Sequence, residues 1–373
     1  MKVHNLFYLL IFTYSFLSCV TTKNAIKDFN NAEYFNAANK FEKTLKSGDA
    51  KNNFLLAESL RKSNRLWQAE KFYRDAIKNG INDEMAYYYL VLSLKANNNY
   101  EQADSLIINY LKKGEDESVI PLLRKEAIYI NNLKNYPDTS YYRVKNLKAI
   151  NTKFAEYSPS FSNEKLYFVS NRQSEKIYSG TGTPFTDLYE IKSRGANVDI
   201  NSLKKLEDNI NQEKVNEGSI TFSEDGTYMI FAKGNDGKSS GRNNVDLYWS
   251  RFRRGGWTNP RLLNVNTSRS WDSTPFLSKD GKTLYFASNR SKGYGGTDIY
   301  KANVNRRGRW INIQNMGPEI NTSGNELFPS VTEDGRLYFS SDSHEGFGGL
   351  DIFVASRRGG KITIVNPGKP LNS

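Results

Sequence analysis

The sequence predicts a protein in two parts, an N-terminal α-helical solenoid followed by an all-β propeller, and so an α+β multidomain chain. Two repeats predict it. Toward the C-terminus an Asp followed by Leu or Ile and then an aromatic recurs at Asp187, Asp246, Asp298 and Asp351, the last three spaced by 52 and 53 residues and the first pair by 59. Nearer the N-terminus, aromatic residues and alanines recur at helical spacing in three segments offset by 32 and 34 residues. A third observation, an apolar leader that ends at the one cysteine, points to the cell envelope.

The leader comes first in the chain. Met1–Asn5 carries Lys2, and Leu6–Leu17 is an apolar run, too short to span a bilayer as a mature helix and suited to the core of a signal peptide. It ends Phe16-Leu17-Ser18-Cys19, which resembles a bacterial lipobox, with Phe16 where Leu is usual. Residues 1–18 are therefore expected to be a lipoprotein signal peptide and Cys19 the lipidated residue, so that acyl chains hold the protein at the membrane. A single cysteine permits no intrachain disulfide. No acidic run follows Cys19, which favours an outer-membrane, lipid-anchored protein facing the periplasm over one exported to the surface. Net charge is +12, and +11 once Lys2 leaves with the leader. That balance suits anionic partners or simply keeps the body soluble. No nucleic-acid recognition module accompanies it, so nucleic acid is not an expected partner.

The helical half aligns as Tyr34-x-x-Ala37-x-x-x-Phe41, Leu66-x-x-Ala69-x-x-x-Tyr73 and Tyr100-x-x-Ala103-x-x-x-Ile107. The small residue lets paired helices approach, and the large one four positions on fills the neighbouring groove. The pattern resembles the tetratricopeptide repeat (TPR), which implies a TPR domain over residues 19–133. Partner helices are expected near Asn24–Asn31, Asn52–Lys62 and Asp83–Ala96, with Glu117–Asn132 capping the stack. Tyr87, Tyr88 and Tyr89 cannot all face one side of a helix. At least one is expected in the concave groove, a candidate partner-binding surface; the alternative is packing on neighbouring repeats. Residues 134–141 read as a linker, with Pro137 and Asp138 as breakers.

The propeller is expected over residues 142–373. Each unit carries an inner strand, a turn (Asn163-Glu164, Glu224-Asp225-Gly226, Lys279-Asp280-Gly281, Glu333-Asp334-Gly335), an apolar strand beginning at Leu166, Met229, Leu284 or Leu337, and then the Asp strand. Four short strands at this period form a blade, and blades bury their faces by stacking around an axis. The blades run over about Tyr157–Leu206, Glu217–Leu263, Trp271–Gln314 and Glu326–Val365. SPSFSNEKLYFVSNR and STPFLSKDGKTLYFASNR resemble the WD40-like PD40 repeats of TolB-type propellers. Tyr142–Phe154 reads as the outermost strand of a blade lacking its inner strands. Asn366–Ser373 repeats the connector Asn315–Thr322 that leads into blade four. Four blades are thus recognisable. The ring is expected to be incomplete, or else to close with four.

TPR followed by PD40 repeats on a lipidated start resembles the PorE-like lipoproteins of the OmpA family, associated with type IX secretion and gliding. The resemblance implies cell-envelope protein partners in such a complex. In that family a C-terminal OmpA-like domain binds peptidoglycan. Its residues are not in this sequence, so peptidoglycan would be a partner only through a domain not seen here.

Few residues in these repeats match catalytic or metal-binding patterns. His344 is the one histidine beyond the leader and reads as a solvated loop residue. Ala232–Ser239 imitates a P-loop, but a strand follows where a phosphate cradle needs a helix. Gly237–Gly241 imitates G-x-S-x-G around Ser239 without a suitable base. Asp187, Asp246, Asp298 and Asp351 are expected to be structural, accepting N–H bonds from the Gly-rich loops before them, rather than to bind calcium. The turns between third and fourth strands are basic: Arg251, Arg253 and Arg254; Arg306, Arg307 and Arg309; Arg357 and Arg358. In a propeller such turns share one face near the rim, with the acidic Gly turns further in. Arg253, Arg254, Arg306, Arg307, Arg357 and Arg358 are therefore candidate partner-binding residues. The expectation is a non-enzymatic scaffold or adaptor without cofactor or metal; the alternative is a peptidoglycan- or envelope-glycan-binding module.

Overall fold

The computed structural model describes residues 21–114, 116–133, 142–172, 174–234, 245–268, 270–347 and 349–372. The expected signal peptide, Cys19, the expected linker at 134–141 and the motif around Ser239 lie outside the described residues.

Seven helices occupy the N-terminal part among the described residues: α1 (residues 21–30), α2 (Tyr34–Thr44), α3 (Ala50–Lys62), α4 (Glu70–Lys78), α5 (Met85–Ala96), α6 (Tyr100–Lys113) and α7 (Ile120–Leu133). Each helix packs on the next from α2 onward. The repeat explains the packing. Ala37, Ala69 and Ala103, with Phe41, Tyr73 and Ile107, are all fully buried in one core. The turns repeat as well. Asn64 and Asn98 take positive φ (60° and 58°) between paired helices, where asparagine tolerates the left-handed region, and Ala32 takes it (62°) at the equivalent turn. The second segment departs from the pattern. Leu66–Gln68 is a 3-10 turn, and α4 begins only after Ala69. Among the described residues no helix is long and apolar enough to cross a membrane.

The second part is a four-bladed β-propeller arrangement. Blade one holds β1 (Glu156–Ser162), β2 (Lys165–Ser170), β3 (Asp187–Arg194), β4 (Asn197–Val198) and β5 (Lys204–Lys205). Blade two holds β6 (Asn216–Phe222), β7 (Tyr228–Gly234), β8 (Val245–Arg253), β9 (Gly256–Trp257) and β10 (Arg261–Leu262). Blade three is β11 (Asp272–Leu277), β12 (Thr283–Ser288), β13 (Asp298–Val304) and β14 (Trp310–Asn315). Blade four is β15 (Glu326–Val331), β16 (Leu337–Ser341), β17 (Asp351–Arg358) and β18 (Lys361–Val365). All pairings within the sheets are antiparallel. The outer strand is continuous in blades three and four. It is split in blade one by a 3-10 turn at Ile200–Ser202 and in blade two around Pro260, which has no N–H to donate.

The inner strands β1, β6, β11 and β15 succeed one another around the axis. Each shifts register at the same point, between Tyr157 and Ser160, Glu217 and Ile220, Ser273 and Phe276, and Leu327 and Ser330. Such bulges bend a strand and free backbone groups from the ladder. Alternate residues of the second and third strands fill the spaces between blades. Val169, Leu188, Ile220 and Phe231 join blades one and two; Ile230, Leu247, Leu284 and Phe286 join two and three; Ile299, Phe339 and Phe353 join three and four.

The segment before blade one corrects an expectation. Residues 142–154 form no strand. Their side chains are mostly exposed, Val144 to 62 %, and only Ile150 is buried, with Leu166, Phe168, Tyr189 and Ile191 of blade one. At its other end the Tyr142 hydroxyl lies 3.2 Å from that of Tyr338 on β16. The segment bridges blades four and one as an extended tie.

Candidate functional site

The repeated residues of the blades hold the sheets together. An acid stands at or next to the start of every inner strand, just before the bulge: Glu156, Glu217, Asp272 and Glu326. Glu156 accepts from Thr152 N (3.0 Å) and Oγ1 (2.7 Å), from Ser170 Oγ (3.1 Å) and from Arg172 (3.1 Å). Asp272 accepts from Ser270 Oγ (2.7 Å) and Arg290 (2.8 Å), and Glu326 from Thr322 N (2.8 Å) and Ser341 Oγ (2.7 Å). A cation completes the arrangement. Arg172 lies over Phe168 and Tyr189 (5.0 and 5.3 Å), and Arg290 over Phe286 and Tyr300 (5.0 and 4.9 Å). In blade four His344 packs on Phe339 and Phe353 (5.4 and 5.2 Å), and its Nε2 lies 2.9 Å from Ile320 O. His344 is thus a packing residue, not the solvated loop residue the sequence suggested. It takes the place the arginines take in blades one and three.

An asparagine from each connector clamps the strand after the repeated Asp. Asn211, Asn266, Asn321 and Asn372 each accept from the N–H of Leu188, Leu247, Ile299 or Ile352 (2.8 Å in every case) and donate back to its carbonyl. Asp298 accepts from Tyr294 N and Asn315 Nδ2 (2.7 Å each). Gly293 and Gly346 back so closely on the carboxylates of Asp298 and Asp351 that a Cβ would not fit. Asp187 instead pairs with Lys205 (2.8 Å), and burial raises its carboxyl above the usual range against that pull. Burial raises Asp246 too, with the charge of Asp272 adding to it.

Glu217 is the exception among the inner acids. It is fully buried, Lys233 lies 3.9 Å away, and its Oε2 has no hydrogen-bond partner among the described residues. Burial pushes its pKa up, and burial pushes that of Lys233 down, so both groups are driven toward their neutral forms. The folded state therefore holds the Glu217 proton at a pH where the unfolded chain has lost it. This stabilisation is complete below the ordinary carboxylate pKa and is lost as pH rises through the raised value, at up to about 1.4 kcal/mol per pH unit. Glu217→Gln is expected to flatten the fall in stability between about pH 5 and about pH 8. Urea titrations of both proteins at the two pH values check it; an unchanged slope would show that Glu217 is ionised when folded.

The turns supply the exposed chemistry. Arg254 and Gly255 take positive φ (53° and 85°) at the β8–β9 tip, and Gly359 and Gly360 (56° and 83°) at the β17–β18 tip, as two-residue hairpins require. At the β13–β14 tip Asn305 Oδ1 accepts from Arg307 N (2.9 Å) and Arg309 N (3.0 Å). Further in, Lys279 links Glu224 (3.6 Å) to Glu333 (2.6 Å), tying the inner turns of blades two, three and four. Between blades two and three a cleft of about 840 Å³ opens among both kinds of turn, with Asp225 and Gly281 from inner turns and Arg253 and Gly308 from outer ones. The two sets of turns therefore share a face, as the sequence implied. Its floor is aromatic: Tyr228, Trp249 and Trp310, with Phe252 and Leu262 beside them. Arg306 and Arg307 immediately precede Gly308. Arg357 and Arg358 sit on the blade-four tip, outside the cleft's lining. A second cavity, about 500 Å³, is the central channel, lined by all four inner strands and including Tyr157, Phe161, Phe276 and Phe328.

The helical tyrosines are partly buried. Tyr87 packs on Tyr110 (4.8 Å), and Tyr89 on Tyr73 (6.0 Å) with the Arg61 guanidinium 3.9 Å over its ring. Tyr88 contacts Tyr89 at 5.5 Å. The helical cavity, about 580 Å³, is walled elsewhere, by Phe54, Ile81, Asp83, Glu84, Met85 and Asp116 among others. Packing on neighbouring repeats thus accounts for Tyr87 and Tyr89.

The fold and these sites define an α+β multidomain protein, a helical array followed by a four-bladed propeller. No family model matches the chain. No curated protein matches it. Among solved structures it is similar to a protein assigned as TolB from Agrobacterium tumefaciens, at 15 % identity and a TM-score of 0.34 over 54 % of this chain and 60 % of that one. It is also similar to a puromycin-hydrolysing peptidase of Mycobacterium tuberculosis, at 15 % identity and a TM-score of 0.34 over 56 % of this chain and 31 % of that one. An α-L-arabinofuranosidase from Clostridium thermocellum matches at 15 % identity and a TM-score of 0.34, over 60 % of this chain and 77 % of that one. The chain spans less than two thirds of the length of the first two. The expectation of a protein that is not an enzyme is corrected here. Peptidases and glycosidases stand among the matches beside TolB, so likeness of fold gives no ground for excluding catalysis.

Proposed function

We propose that this chain is a scaffold of the cell envelope that holds protein partners on its propeller face and helical array. One observation carries the reading. Most of the ionisable residues that recur in the blades are engaged in internal bonds, while the arginine-rich tips and an aromatic cleft are presented together on one face. A surface of aromatic and arginine side chains is the composition of protein interfaces.

In this reading residues 1–18 are the signal peptide, Cys19 carries the lipid, residues 19–133 are a TPR array, 134–141 the linker and 142–373 the propeller. The protein sits on the periplasmic side of the outer membrane and serves a type IX secretion or gliding assembly. The resemblance of the repeat order and the lipobox-like leader to PorE-like lipoproteins supports this placement. Fractionation tests the anchor: Cys19→Ser is expected to move the protein from membranes to the soluble fraction. Purification from native envelopes in graded salt tests the scaffold. Envelope proteins are expected to remain bound. Retention on purified sacculi with no protein partner would favour the glycan-binding alternative instead.

A further inference from the structure

The cleft between blades two and three carries an inference about what it binds, which rests on the scaffold reading. Its apolar groups are unusually open. Phe252 is 43 % and Leu262 58 % exposed, beside Trp249 and Tyr228, whose rings lie 5.6 Å apart. Its lining carries more guanidinium than carboxylate, Arg251 and Arg253 against Asp225. Arg251 lies over Tyr228 and Trp249 (5.9 and 5.8 Å), and Arg261 lies over Trp249 (5.7 Å). A guanidinium held near a ring keeps its N–H edge for a planar carboxylate, which it can grip with two bonds. Arg253 lines the cleft, and Arg306, Arg307 and Arg309 crowd its blade-three tip. Among the described residues the propeller's ion pairs involve none of these arginines. The acid in the lining, Asp225, is engaged by its own turn, accepting from Ser223 Oγ (2.6 Å), Thr227 N (3.0 Å) and Thr227 Oγ1 (2.9 Å).

The neutral polar groups settle between occupants. A saccharide needs side-chain amides and hydroxyls to read its own hydroxyls. Here the Asn264 amide is turned onto the main chain, accepting from Trp310 N (3.1 Å) and donating to Trp310 O (2.8 Å). The Thr227 hydroxyl is held by Asp225. What the cleft offers outward is guanidinium edges over apolar surface. From this we infer that the cleft docks an acidic segment of a protein partner, with Asp or Glu carboxylates on Arg251, Arg253 and Arg261 and an aromatic or aliphatic side chain against Phe252, Leu262 and Trp249. A volume of about 840 Å³ accommodates a few such residues.

The test uses the purified full chain and a short capped peptide in which Glu alternates with Phe and Leu, read by calorimetry and tryptophan fluorescence. Saturable binding at one site is expected, weakening with salt, and none by the twin peptide with Lys for Glu. Arg253→Glu and Phe252→Ser are each expected to weaken it about tenfold. Arg357→Glu, on the blade-four tip, is expected to leave it unchanged. The proposal falls if an all-Glu peptide binds equally well, if Arg357→Glu weakens binding as much as Arg253→Glu, or if the peptide does not bind. It also falls if oligogalacturonate or oligothymidylate binds this cleft more tightly than the peptide does. A photo-reactive phenylalanine placed at Phe252 or at Tyr88 in cells separates the two readings. Protein adducts from Tyr88 but not from Phe252 would leave the scaffold standing and remove the cleft; adducts from neither position would remove the scaffold.

Discussion

Glu126→Gln is expected to destabilise the helical array by about 3–5 kcal/mol, the scale for removing one partner of a buried ion pair. Lys95 on α5 and Glu126 on α7 meet at 2.6 Å with side chains only 4 % and 5 % exposed. Tyr129 brings a ring 5.9 Å from the same ammonium, which does not replace a carboxylate. With the carboxylate gone, the ammonium stays buried without its counter-charge, and that desolvation rather than the lost attraction sets the penalty. Lys95→Met combined with Glu126→Leu removes both charges and is expected to recover most of the loss. Urea unfolding followed by far-ultraviolet dichroism checks both variants. If single and double variants were equally unstable, packing and not charge would be the cause.

Arg290→Met should lower propeller stability by about 3 kcal/mol for the same physical reason in a different setting. The Asp272 side chain is fully buried, and its oxygens are met by Arg290 at 2.8 Å, Ser270 Oγ at 2.7 Å and Thr267 N at 3.2 Å. Arg290 also reaches Ser288 Oγ (2.8 Å) and Val265 O (3.2 Å), so one side chain ties the inner strand, the second strand and the incoming connector. Methionine keeps much of the contact with Phe286 and Tyr300 but leaves the carboxylate short of its cation. Adding Asp272→Asn to Arg290→Met is expected to restore part of the stability. Tryptophan fluorescence during urea unfolding is the measurement, since Trp271 and Trp310 lie in this blade.

Both networks show where the sequence was readable. The helical repeat was legible because one small and one large residue recur at fixed offset, and those positions form the core. The blade Asp was legible for a similar reason, since it stands at or next to the start of every third strand, before a nearly constant Leu/Ile-aromatic pair. The inner acids escaped notice because Glu and Asp alternate there and the residues between acid and bulge vary: Glu156-Tyr157-Ser158, Glu217-Gly218-Ser219, Asp272-Ser273-Thr274, Glu326-Leu327-Phe328. The bulge itself, a backbone event, gave a Pro in three of the four blades and nothing in the second. His344 was misread because it stands three residues after Ser341, whereas Arg172 and Arg290 stand two after Ser170 and Ser288. The aromatic cleft could not be read along the chain at all. Its floor draws single residues from β7, β8, β10 and β14, which only the stacking of two blades brings together.

The tie at residues 142–154 has a mechanical meaning. It meets the propeller through the Tyr142–Tyr338 hydroxyl contact on blade four and, on blade one, through Ile150, Leu147 and the Ile150 carbonyl, which accepts from Arg172 (2.8 Å). Tension arriving from the N-terminal side would be borne first by the 3.2 Å Tyr142–Tyr338 contact, then by Ile150, before any sheet is sheared. Side-chain contacts of this kind give way under less force than paired strands, because they break one at a time. A pull on this segment would therefore be felt first in its own few contacts and only afterwards in the blades.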